Sequence, residues 1–132
     1  MDKYQQVLRH IEWLQALAAD VEKMGPGKIS YEAMEAIDRK YRDDFIRFHD
    51  ECCAPGILNI DYRTFLEKHG VDCGRDLETD DIKRADLPLL ISLLTLRIRH
   101  LYWDSHIETW VDDGVRGIYL AILLRLRELT GN

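Results

Sequence analysis

The sequence predicts an all-α fold: a compact helical bundle of four main helices with two or three short ones. Three observations lead there. Apolar residues recur at three- and four-residue spacing along most of the chain. Glycine, proline and capping residues interrupt those runs at intervals of helical length. The one extended-looking apolar stretch, 57–60, is too short to found a sheet. With 132 residues the chain suits one domain, 1–132. At 46% hydrophobic and 32% charged residues the composition is that of a globular protein, not a disordered one.

The organising element is the stretch 86–103, DLPLLISLLTLRIRHLYW. Asp86 can cap a helix start, and Pro88 falls in the first turn, where a missing N–H costs nothing. Leu90, Leu94, Arg97 and Leu101 share one face, flanked by Leu89, Leu93 and Leu96, so the helix should be buried on most of its circumference.

The other elements follow in order. From Asp2 to Met24, residues Val7, Leu8, Ile11, Leu14, Leu17 and Val21 predict one amphipathic helix, stopped by Gly25-Pro26-Gly27; this helix and turn form segment 1–28. Trp13 falls off that stripe, so it either faces a partner or is partly buried against a neighbouring loop. Ser30 can cap a second helix, with Glu32 in its first turn and Met34, Ile37, Tyr41, Phe45, Phe48 and Cys52 on one face. Asp38, Arg39, Arg42, Asp43 and Arg47 should form its solvated face. After Ala54-Pro55-Gly56, Asp61 can cap a brief helix ending at Gly70, and Thr79 can cap one turn before Asp86. Ser105 and Glu108 have capping-box spacing and would start a short helix ending at Asp112-Asp113-Gly114. The last helix should run from about Val115 to Leu129, with Gly117 permitting close approach of a neighbouring backbone.

The residues also resemble a family. The ADLPLLISLLTLRIR helix, the WVDDG stop, the IYLAILLRLREL ending and the FIRFHDECCAPGILNIDYRTFL middle are similar to an uncharacterised bacterial and archaeal domain-of-unknown-function family of small helical proteins. The likeness spans roughly 30–129. It implies a compact helical domain and brings no activity, cofactor or catalytic residue. It departs from the family pattern at His100-Leu101-Tyr102-Trp103-Asp104, where an Arg-Phe pair and a Gly are usual.

Net charge is −6, and the basic residues are scattered, which argues against a nucleic-acid partner unless Arg39, Arg42 and Arg47 gather with Arg97 or Arg99. No apolar run reaches the roughly 20 residues of a membrane span, and no apolar leader is present, so no membrane partner and a cytoplasmic location are expected. Three cysteines, an odd number, point to reduced thiols. Dinucleotide, P-loop, nucleophile-elbow and HExxH motifs are absent.

The candidate ligand site is the polar aromatic end of the central helix with the helix after it: Arg97, His100, Tyr102, Trp103, Glu108 and Trp110. A guanidinium on an apolar stripe needs a partner. Either it pins two helices through Glu108, Asp112 or Asp113, or it anchors an anion between aromatic walls. His100 with His106, and His49 with Cys52, Cys53 and Cys73, have the side chains of a metal site without its usual spacing, so no metal or cofactor is assigned. The acidic set Asp72, Asp76, Glu78, Asp80 and Asp81 does not fit a calcium loop. No catalytic residue is assigned. The expected function is a protein-interaction or binding module with a protein partner or self-association. The alternative is a small-molecule or nucleotide-binding enzyme using Arg97, His100, Trp103 and Glu108.

Overall fold

A computed structural model describes residues 3–71, 77–103 and 107–131, with the side chains of 100–103 and 107–109 outside the description. All regular structure among the described residues is helical: α1 (Gln5–Leu8), α2 (Ile11–Lys23), α3 (Tyr31–Cys52), α4 (Tyr62–Lys68), α5 (Thr79–Lys83), α6 (Leu87–Trp103), α7 (Ile107–Val115) and α8 (Ile118–Thr130). None of them is long and apolar enough to cross a membrane.

Helix α6 is the axis. Asp86 Oδ1 accepts from Leu89 N–H at 3.0 Å, the cap its position predicts. Every residue from Leu90 to Thr95 is buried, which only a helix wrapped on all sides can achieve. It packs against α4 and α8, while α7 lies against α2, α3 and α8. On α3, Ser30 Oγ caps Ala33 N–H at 3.2 Å, and Ile37, Tyr41, Phe45, Phe48 and Cys52 form its buried face. Asp20 ties α2 to α3 by accepting from Tyr41 at 2.5 Å and Lys40 at 2.7 Å.

Several expectations need correction. The single helix over 2–24 is two, α1 and α2, because His10 N–H turns back to Val7 at 3.1 Å and aims its ring into the core. Residues 57–60 form turns and a bend rather than a strand. The main chain there is held by α6: Asn59 N–H donates to Thr95 Oγ1 at 3.0 Å, and its amide to Ser92 Oγ at 2.9 Å. Asp61 makes no side-chain cap; instead its N–H donates to Asn59 Oδ1 at 3.0 Å. Glu78, not Thr79, precedes α5, and Asp81 accepts from Glu78 N–H at 3.1 Å. Asp38, placed on a solvated face, is 2% exposed. The Ser105–Glu108 capping box lies outside the described residues.

The two glycines near the end exchange roles. Gly114 lies within α7, where a Cβ would stand 3.0 Å from the Leu17 side chain of α2. Gly117 supplies the stop, with φ +77, which L side chains rarely adopt. Gly114→Ala sets a helix-propensity gain of about 1 kcal/mol against overpacking of about 1–3 kcal/mol. Leu17 is fully buried and has little room to move. We expect a net loss of about 1 kcal/mol in urea unfolding, and an unchanged or higher midpoint would show that α7 can slide.

Candidate functional site

Arg97 leaves the apolar stripe of α6 and reaches α7. Its Nε and Nη2 donate to Asp113 Oδ2 at 2.9 and 2.6 Å, with the two side chains 13% and 2% exposed. Tyr119 OH from α8 adds a longer bond to the same oxygen at 3.4 Å. Burial raises the Asp113 pKa above its ordinary value despite the attraction of Arg97, and burial raises that of Tyr119 well above its own. The cluster is an electrostatic knot of three helices.

Trp110 is also turned inward. It is 5% exposed, stacks on Phe45 with centroids 4.6 Å apart, and donates its Nε1–H to Asp38 Oδ1 at 2.9 Å. The other Asp38 oxygen accepts from Arg42. Of the six candidate ligand residues, Arg97 and Trp110 therefore stand within one interior region as helix-to-helix ties. The side chains of His100, Tyr102, Trp103 and Glu108 lie outside the described residues, as does His106.

The cysteine cluster separates. Cys52 is in the core, and burial pushes its thiol well up; Cys53 is exposed, with its thiol also raised by desolvation. A raised pKa disfavours the thiolate that nucleophilic or metal chemistry needs. Cys73 lies outside the described residues, among which no group of three metal-ligating side chains gathers. Three of the five arginines proposed for nucleic acid are tied locally: Arg42 to Asp38, Arg47 to Asp44 at 2.9 Å, and Arg97 to Asp113.

One polar cluster escaped the sequence reading. Trp13 is half-buried, the second of its two expected placements, and its indole N–H donates to His10 Nδ1 at 2.7 Å. Indole nitrogen only donates, so Nδ1 accepts and the ring hydrogen sits on Nε2. That hydrogen is donated to Glu51 Oε2 at 2.7 Å. The i, i+3 spacing of His10 and Trp13 was visible on one helical face, but Glu51 is 41 residues away. Beside this relay is an open cleft of about 520 Å³ between α2 and α3, edged by Arg9, Glu12, Asp44 and Arg47. Both ring nitrogens are engaged, so His10 offers no free base to a reactant. The rim carries both charge signs, with Arg47 on Asp44 at 2.9 Å and Arg9 at 4.0 Å from Glu51. Such a surface suits salt-sensitive polar contact better than bond making.

Comparison with family models, with curated proteins and with solved structures finds no match.

Proposed function

We propose that the chain is a non-catalytic protein-interaction module that binds a protein partner or a second copy of itself. The observation that supports this most is the Arg97–Asp113 pair. An arginine recruited for a ligand carboxylate or phosphate needs donors directed at the ligand. Here Nε and Nη2 are turned to a carboxylate of the fold. The same economy holds elsewhere: among the described residues no buried side-chain nitrogen or oxygen lacks a hydrogen-bond partner. The free thiols Cys52 and Cys53 fit a reducing, cytoplasmic setting.

Native mass spectrometry of freshly purified protein tests the reading. The expected spectrum contains the chain, its multiples or complexes with another polypeptide. A stoichiometric small-molecule or metal adduct that disappears in Arg97→Lys would overturn it. That result would favour the small-molecule enzyme with a site around Arg97, His100, Trp103 and Glu108.

A further inference from the structure

Trp13 is held by a bond that only the neutral form of His10 makes. Its indole N–H points at His10 Nδ1 across 2.7 Å, and Nδ1 accepts through a lone pair. The hydrogen on Nε2 is already given to Glu51 Oε2 at 2.7 Å. A proton taken up by the ring therefore has one place to go, the nitrogen that faces the indole. Two N–H groups then oppose each other, and the indole nitrogen has no lone pair to offer. The bond on the other side gains instead. With the ring charged, Nε2–H and the Glu51 carboxylate become an ion pair, and charge-assisted bonds of this kind are roughly twice as strong as neutral ones.

The surroundings of the ring allow this exchange. Among the described residues His10 is the only buried histidine, yet it lines the open cleft between α2 and α3 together with Trp13 and Glu51, so a solvent proton has a route to it. The charged groups along the cleft are Arg9 and Glu12 on the α2 side and Asp44, Arg47 and Glu51 on α3. Three carboxylates against two guanidiniums leave one negative charge, which a proton on His10 balances. Arg9, 4.0 Å from Glu51, works against the uptake, while Arg47 is occupied by Asp44 at 2.9 Å. From α8, Tyr119 packs on Phe48, and Arg127 lines a neighbouring groove with Arg9 and Glu12. Trp13 itself has room to move. It is half-buried, stacked on Tyr41 of α3 with centroids 5.9 Å apart, and it borders the same cleft.

We infer that Trp13 is an acid-released latch between α2 and α3: when His10 takes up a proton, the ring keeps Glu51 and lets Trp13 go, and the indole leaves Tyr41 for the cleft. The two helices stay joined through the strengthened Glu51 tie, so the change is confined to this joint and the fold survives it. The cleft then presents an indole face in mild acid that is laid against Tyr41 at neutral pH. The charge change is on one imidazole, and the element it biases is one side chain with two resting places.

Nuclear magnetic resonance of the full isotope-labelled chain between about pH 8 and 5, the range in which histidine ordinarily titrates, is the test. The His10 ring nitrogens report the proton, and Trp13→Phe assigns the indole N–H. The indole proton should move upfield with the same midpoint as the ring, and its through-space contacts with the Tyr41 ring should be lost. Two variants should move the midpoint in opposite directions. Trp13→Phe removes the opposing N–H, so His10 should take up its proton at a higher pH than in wild type. Glu51→Gln keeps an acceptor for Nε2–H but removes its charge, so proton uptake and indole release should both move to lower pH. Indole contacts with Tyr41 that persist once His10 is charged would overturn the inference. So would a ring that stays neutral until the chain unfolds, or a Trp13→Phe midpoint at or below that of wild type.

Discussion

Replacing Arg97 by alanine should lower stability by about 3–5 kcal/mol at neutral pH, because it leaves the Asp113 carboxylate buried without its cation. Asp113 is 1% exposed, and little water can reach it. The loss should depend on pH, and its sign follows from the carboxyl. Burial raises the folded pKa of Asp113 above 3.8. The folded chain then holds this proton more tightly than the unfolded chain. That contribution is complete below 3.8 and fades as pH rises through the raised value. Taking Arg97 away removes the attraction that limits the rise, so the interval widens. The cost of Arg97→Ala should therefore be small in acid and grow as pH climbs. Urea unfolding of wild type and variant at a series of pH values checks this. A pH-independent difference would mean that Asp113 is ionised, or neutral, throughout. The double substitution Arg97→Met/Asp113→Leu should recover most of the loss, since apolar pairs of similar volume often replace buried ion pairs without penalty.

The second large effect belongs to Phe48. Its ring is fully buried where three helices meet, with centroids 5.3 Å from His10, 6.2 Å from Phe45 and 5.6 Å from Tyr119. Phe48→Ala should cost about 3–5 kcal/mol, the transfer of a ring plus the cavity it leaves. Against a total of about 5–15 kcal/mol for a domain, that loss brings the chain near its folding threshold. The urea midpoint should fall with little change in slope. Phe48→Leu, which keeps more of the volume, should lose distinctly less. Equal losses would mean that the neighbours do not relax around the smaller side chains in the same way the wild-type packing suggests.

Much of the architecture was legible because its signals are local. The stripe from Ile37 to Cys52, the caps at Ser30 and Asp86 and the all-round burial of α6 each depend on residues within a few turns of one another. Arg97 was partly legible too: a guanidinium on an apolar stripe must be neutralised, and the following helix offered only a few acids. Asp38 was not. Its helical position looks solvated, and its burial is decided by Trp110, 72 residues further on. The His10–Glu51 bond is hidden for the same reason. The glycines show a different limit. Sequence marks where a Cβ is missing, but whether the vacancy serves a turn, as at Gly117, or a neighbour, as at Gly114, depends on which helix comes alongside.

The His10 ring has a consequence for what evolution or design can place at that position. One edge receives a hydrogen and the opposite edge gives one, about a ring's width apart, between two fixed groups. Lysine and arginine only give, and ionised aspartate and glutamate only receive. The amides of asparagine and glutamine do both, but from one end of the side chain. Position 10 is thus a two-sided connector that no other standard residue copies, and Trp13 and Glu51 would have to change with it.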